Sequence, residues 1–211
     1  WENDGFSVGV IQVDVASAFT SVCHKRLIIV FYKFIERSNC EEKSWYIVTY
    51  IHMWLGEGSR IIFYEKTSVR MRSGVPQGSA LSPVVFVVFL DYVSGDIDCE
   101  IMKFADDCTL LIRGKTMPVL KAKIKESFET FTKWLENRKL GCEPSKSKIL
   151  ILHKAKQTLD KHFDKNTDKK LAASWVFMGI PIVELVKILG VTVDSHLNFV
   201  QHTNNVCNMF R

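Results

Sequence analysis

The six cysteines of this chain form no C-x-x-C pair and show no paired Cys/His spacing of the kind that holds zinc. That argues against a structural zinc. The thiols are scattered among the expected strands and helices, so they read as reduced packing groups of an intracellular protein. Long apolar runs are also missing. The longest, within Leu81 to Val93, falls short of the roughly 20 residues a bilayer crossing needs, and no basic-then-apolar leader opens the chain. Neither a membrane nor a secretory role is expected. Proline (5) and glycine (11) are sparse among 211 residues, and no repeat recurs, which excludes collagen-like, disordered and solenoid classes. What is present, 47% hydrophobic and 24% charged residues, suits one compact globular domain. The first residue is Trp1, so a piece of a longer polypeptide is expected. Lys+Arg 28 against Asp+Glu 23 gives +5, and Lys146 to Lys170 alone, with eight Lys against three Asp, matches that excess. Such a patch suits a polyanion such as nucleic acid, although charge-rich loops also serve as plain solvated surface.

Periodicity sets out the elements. Val8 to Val15 alternates, with Ile11, Val13 and Val15 on one face and Gln12 and Asp14 on the other, the pattern of a half-buried strand. Helices are expected over about 24 to 37 and 41 to 55, the second with Trp45, Val48, His52 and Leu55 on its apolar face and Gly56 and Gly58 at its end. Arg60 to Tyr64 and Ser68 to Arg72 read as a strand pair, followed by a glycine-rich loop from Ser73 to Ser79. Ser82 as N-cap and Pro83 at the first helical position predict a buried helix to about Ile97. Glu100 to Ala105 and Cys108 to Ile112 are expected strands flanking Asp106-Asp107 at a tight turn. An amphipathic helix is expected over about 118 to 139, with Leu120, Ile124, Phe128, Phe131 and Leu135 inward and Gly141 as its stop. Ile149 to Leu152, Val176 to Ile180 and Val186 to Val193 complete the strands, before a helix start around Asn198 to Phe210. Mixed elements without regular βαβ alternation predict an α+β fold, an antiparallel sheet with helices on one face.

Asp14 at a strand end and Asp106-Asp107 at a turn lie far apart in sequence, and only tertiary structure can unite them. United, three carboxylates repel one another unless they hold a hard divalent cation, Mg²⁺ or Mn²⁺. Two such ions about 3.5–4 Å apart drive in-line phosphoryl transfer. Taken separately, the three acids are also ordinary strand-end and turn residues.

Their order and context narrow the choice. The blocks Val13-Asp14-Val15-Ala16-Ser17-Ala18-Phe19, Gly74-Val75-Pro76-Gln77-Gly78-Ser79-Ala80-Leu81-Ser82-Pro83, Phe104-Ala105-Asp106-Asp107 and Ile188-Leu189-Gly190-Val191 follow one another along nearly the whole chain. Together they resemble motifs A, B, C and E of the palm of reverse transcriptases, particularly those of non-LTR (LINE-type) retrotransposons. The resemblance implies a polymerase palm with part of the fingers over 1–198, and the beginning of a connection to the thumb over 199–211. It implies RNA-directed DNA synthesis from dNTPs on a DNA primer and an RNA template, with two Mg²⁺ ions or Mn²⁺ as cofactors. Asp14 and Asp106 would ligate the metals, with Asp107 in support and the carbonyl of Val15 as an extra ligand. Phe19 would be the aromatic gate that clashes with a ribose 2′-hydroxyl. Gly74, Pro76, Gln77 and Gly78 would lie against the nucleotide and template. Lys146 would be the motif D lysine, a general acid or counter-charge for pyrophosphate. Leu189, Gly190 and Val191 would grip the primer, although the same residues also make a plain hairpin. Thr20 and Glu143 depart from the usual Asp and Asn of the family. An endonuclease and other domains are expected elsewhere in a parent polyprotein, acting in a cytoplasmic ribonucleoprotein and the nucleus. An RNA-dependent RNA polymerase palm is the nearest alternative, disfavoured by Phe19 and by Ala105 where those enzymes carry Gly. A retroelement-derived domain that binds nucleic acid without catalysis is another, disfavoured by three intact carboxylates.

Overall fold

The computed structural model describes residues 7–16, 18–37, 41–56, 61–64, 67–70, 73–76, 78–91, 97–152, 164–165 and 175–210. Strand β1 (Ser7–Ala16) lies inside the main sheet, whose order is β4 (Glu100–Phe104), β5 (Asp107–Gly114), β1, β7 (Lys148–Leu152), β10 (Ile180–Val183), β9 (Trp175–Phe177) and β8 (Asp164–Lys165). The two-residue β6 (Gly141–Cys142) pairs with the end of β1. The described pairings in this sheet are antiparallel except β10 with β7. The expected α+β fold is therefore the one observed.

Both faces of β1 are covered over its first half. Ile11, Val13 and Val15, with Cys108, Leu110, Ile112, Ile149 and Ile151, meet the buried sides of α2 (His24–Arg37), α3 (Glu41–Gly56), α4 (Leu81–Asp91) and α5 (Met117–Asn137). Each fully buried side chain of this size contributes about 1.5–3 kcal/mol. On the opposite face Val10 and Leu150 are roofed by the hairpin of β11 (Leu185–Ile188) and β12 (Val191–Asp194) through Val186, Ile188 and Val193. Toward the end of that face Gln12 is half-buried and Asp14 is exposed. A short helix α1 (Ala18–Ser21) follows β1, the pair β2 (Ile61–Tyr64) and β3 (Thr67–Arg70) forms a separate hairpin, and α6 (Val200–Met209) ends the described chain. Among the described residues no helix is long and apolar enough to cross a membrane.

Several boundaries differ from the sequence expectation. Val176 to Ile180 is broken, because Met178 and Gly179 adopt φ 56° and 76° and form the turn between β9 and β10. Val186 to Val193 likewise folds back at Leu189 and Gly190, φ 48° and 89°. Helix α4 begins at Leu81, so Ser82 is not its N-cap. The buried Ser82 hydroxyl instead donates to the carbonyl of half-buried Pro76. At its other end α4 reaches Asp91, residues 92–96 lie outside the described set, and Ile97 is not helical. The last carbonyls of this apolar helix are served by cations, Phe89 by Arg138 Nε at 3.2 Å and Leu90 by Lys103 Nζ at 2.9 Å. Among the described side chains of α3 the inward ones are Val48, Ile51, Trp54 and Leu55, whereas His52 is exposed; the Trp45 side chain lies outside the described residues. The α5 face is as expected, but its stop is not Gly141. Lys139 takes φ 60°, with Lys139 N–H donating to Glu136 O and Leu140 N–H to Leu135 O, a Schellman closure on a non-glycine residue. The Lys-rich stretch lies mostly outside the described residues, at 153–163 and 166–174, and so does Cys40. The five described cysteines are free thiols. Burial pushes Cys99 up to about 11 and Cys108 up to about 12, which leaves both protonated and unreactive.

Candidate active site

The register of three strands assembles the acidic site. Asp14 of β1 is the direct cross-strand partner of Asp107 in β5, and Asp107 is in turn the partner of Phe104 in β4. Opposed residues leave a sheet on the same side. Phe104, Asp107 and Asp14 therefore form one row, on the face away from the helices. Ala105 and Asp106 make the two-residue turn joining β4 to β5, with Ala105 held at φ 52°, and this places Asp106 at the end of the same row. All three carboxylates are solvent-exposed. The tight turn therefore falls one residue earlier than expected, and Asp107 belongs to the strand.

Electrostatics register this crowding. The Asp107 carboxyl is raised above its ordinary value, first by desolvation and then by the charges of Asp106 and Asp14. Like charges on one strand end are stabilised by a hard cation, and oxygen is the donor such a cation prefers. Among the described residues no three His, Cys, Asp or Glu side chains are gathered closely enough to hold an ion as they stand. The backbone sets Asp14, Asp106 and Asp107 beside one another. The Asp14 carbonyl accepts from Glu143 N–H at 3.1 Å on the β6 edge. Because successive carbonyls alternate along a strand, that of Val15 points to the other edge, beyond the last β1–β5 pair and toward the Ala105–Asp106 turn.

Lys146 sits on a turn between β6 and β7. That loop is fastened to Asp14 itself, by the Glu143 bond just given and by Asp14 N–H donating to Ser147 Oγ at 3.1 Å. Lys146 is exposed one residue from this anchor.

Phe19 lies on α1, half-buried, its ring 4.9 Å from that of fully buried Phe86 on α4. The loop from Ser73 is stitched to the same segment. Ser73 bridges to Cys23, Gly74 N–H donates to Val22 O and Val75 N–H to Phe19 O, both at 2.7 Å, and His24 Nε2 lies 2.8 Å from the Gly74 carbonyl. The sequence assigns Gly74 and Gly78 to close approach of the backbone to a base pair or template. At Gly74 the side where a Cβ would stand faces backbone: an added Cβ would come within 2.8 Å of the Thr20 carbonyl oxygen. Gly78, at φ 85°, has open space beside it, and Pro76 is half-buried between the two. Gln77 lies outside the described residues.

The Leu189-Gly190-Val191 turn is exposed at the tip of the β11–β12 hairpin. Gln12, one side-chain step along β1 from Asp14 on the same face, donates from Nε2 to the Lys187 carbonyl at 3.0 Å and so pins the hairpin to the acidic face. Beyond the hairpin, Asp194 accepts backbone N–H bonds from His196, Asn198 and Phe199 at 3.0, 3.2 and 2.7 Å. Burial raises that carboxyl, but these three donors, together with its own backbone N–H, outweigh it and hold it below the ordinary value. This cage turns the chain from β12 into α6. Sequence reading did not single out Gln12, Ser147 or Phe104. Phe104 is 63% exposed next to the acids, and an aromatic at the end of an alternating strand reads as core until the edge position of β4 is known.

Comparison with known proteins agrees with this geometry. A family described as reverse transcriptase (RNA-dependent DNA polymerase) matches residues 3–193. The chain is 24% identical, over its full length, to 22% of the RNA-directed DNA polymerase from mobile element jockey of Drosophila melanogaster. Over 64% of its length it is 25% identical to 12% of a putative 115 kDa protein in type-1 retrotransposable element R1DM of the same organism. It thus spans less than a quarter of either relative. Among solved structures, apo telomerase from Candida tropicalis, truncated from its C-terminal domain, superposes with TM-score 0.56 at 11% identity, covering 92% of this chain and 35% of that one, a likeness of fold. The carboxylate row, the four ordered blocks and a match over most of the residues place the chain in the reverse transcriptase (RNA-dependent DNA polymerase) family.

Proposed function

We propose that this domain is the catalytic palm of an RNA-directed DNA polymerase, extending a DNA primer with dNTPs on a retrotransposon RNA template. The reading rests on one observation, the register that opposes Asp14 to Asp107 with Asp106 in the adjoining turn. Asp14, Asp106 and Asp107, with the Val15 carbonyl, would hold Mg²⁺ or Mn²⁺. When bound, such ions supply activation of the primer 3′-hydroxyl and charge stabilisation of the pyrophosphate. The remaining work falls to the chain. Lys146 stands beside Asp14 as proton donor or counter-charge for the leaving group. The Phe19 ring, backed by Phe86, excludes a 2′-hydroxyl from the sugar position. Pro76, Gln77 and Gly78 border the nucleotide and template, and Gly74 holds that loop to the Phe19–Thr20 backbone. The Leu189-Gly190-Val191 tip, pinned by Gln12, bears on the primer end. Residues 1–198 act as palm with part of the fingers, and 199–211 begin the thumb connection after the Asp194 turn. An endonuclease and further domains lie elsewhere in the parent polyprotein, which works in a cytoplasmic ribonucleoprotein and in the nucleus.

Primer extension on an RNA template with Mg²⁺ or Mn²⁺, deoxy- against ribonucleotides, tests the proposal. Incorporation of dNTPs is expected, abolished in Asp14→Asn and Asp106→Asn while circular dichroism stays that of the parent. Preference for ribonucleotides, or synthesis that survives Asp14→Asn, refutes it.

A further inference from the structure

The side of β1 facing β7 and β6 has a gap in its ladder. Pairing with β7 ends at Gln12↔Lys148 and pairing with β6 begins at Val15↔Cys142. Between them the loop of residues 143–147 leaves the strand, and a strand interior cannot leave its N–H and C=O groups unpaired without cost. Asp14 sits in this gap. Its carbonyl takes the Glu143 N–H, and its N–H has no opposing carbonyl from β6 or β7, so it donates to the hydroxyl of Ser147, 133 positions along the chain. The hydroxyl in turn donates a hydrogen bond to Glu143 O at 2.9 Å, and Glu143 O also accepts from the N–H groups of Lys146 and Ser147 at 3.1 and 3.0 Å. Ser147 is only 1% exposed, so water does not replace the bond. One buried hydroxyl thus joins two parts of the acidic site, the carboxylate at the end of β1 and the turn that carries Lys146.

We propose that Ser147 is a positioning residue of the polymerase: it fixes the backbone of Asp14 and holds Lys146 in a constant relation to it. The inference rests on the polymerase reading. A misplacement of a reacting group by about 1 Å can cost about a hundredfold in rate, so a loosened Asp14 is expected to lower turnover more than substrate affinity.

The test compares Ser147→Ala with Ser147→Thr and Ser147→Val. The last two add the same bulk and differ in the hydroxyl, so they carry the comparison if Ser147→Ala does not fold. In primer extension, kcat is expected to fall about tenfold or more in the Ala and Val variants, with KM for dNTP within about twofold. The half-saturating Mg²⁺ concentration is expected to rise in the same two variants, and Thr is expected to restore both. Amide hydrogen exchange at Asp14 is expected to quicken about tenfold in Ala and Val but not in Thr. Equal kcat in the Thr and Val variants, or a loss confined to KM, overturns the inference. Unchanged exchange at Asp14 overturns it independently of activity. Failure of the polymerase reading looks different: the parent protein incorporates no nucleotide while the Asp14 exchange difference persists, and the catalytic role of Ser147 then falls with that reading.

Discussion

Gly74 and Gly78 share nearly the same φ, 84° and 85°, but not the same surroundings, and replacing each by alanine separates two energies. Left-handed geometry costs an L side chain about 1–2 kcal/mol. Alanine returns about 0.4–1 kcal/mol by narrowing the unfolded chain. Gly78→Ala, with nothing within 4 Å of the new Cβ, is therefore expected to destabilise by about 0.5–1 kcal/mol. At Gly74 the same methyl meets the Thr20 carbonyl oxygen at 2.8 Å, Thr20 Cα at 3.0 Å and the Phe19 carbonyl oxygen at 3.1 Å. These are backbone atoms, locked by the Gly74-to-Val22 and Val75-to-Phe19 hydrogen bonds, so no side chain can swing away. Overpacking adds about 1–3 kcal/mol, for a total of about 2–4 kcal/mol. In urea, with a slope of about 2 kcal/mol/M, the midpoint is expected to fall by about 1–2 M for Gly74→Ala and by under about 0.5 M for Gly78→Ala. Tryptophan fluorescence follows the transition. Because the strain falls on the segment bearing Phe19, a folded Gly74→Ala protein is also expected to discriminate less well between deoxy- and ribonucleotides. Equal midpoints for the two variants refute the reasoning that Gly74 is a packing requirement.

Phe19→Ala is expected to admit ribonucleotides in primer extension, since the ring that would meet a 2′-hydroxyl is removed; unchanged sugar selectivity counts against the gate. Asp194→Ala, which deletes the acceptor of three backbone N–H groups, is expected to cost about 3 kcal/mol in urea unfolding, and an effect under about 0.5 kcal/mol contradicts the cage. Its pH dependence has a definite sign. The folded carboxyl lies below its ordinary value, so its stabilisation is complete above about pH 4 and is lost as pH falls through the lowered folded value; the variant's stability curve is expected to lack that acid limb. Lys139→Gly is expected to raise stability by about 0.5–1 kcal/mol by relieving a left-handed lysine at the end of α5, and a lower melting temperature argues against it.

The sequence by itself determined the elements whose periodicity is local. β1, α2 and α5 are where alternation and helical spacing put them, and the inward face of α5 is the expected one, because a continuous stripe of large apolar residues has only one way to be buried. Turns where non-glycine residues take positive φ are not legible in it: Met178, Leu189 and Lys139 carry no local mark of that geometry, so two hairpins read as single strands and one helix end reads too late. The candidate acids were legible only as types in an order. Their juxtaposition was decided by the β1–β5 register, which opposes Asp14 to Asp107, and by the β4–β5 turn, which adds Asp106. The Ser147 clamp, the Gln12 tether and the contact of Gly74 with Thr20 are likewise tertiary, each joining segments with no shared pattern. Periodicity records which side of an element is dry; which backbone group is left over where a ladder breaks, and which distant side chain fills it, depends on how the strands meet.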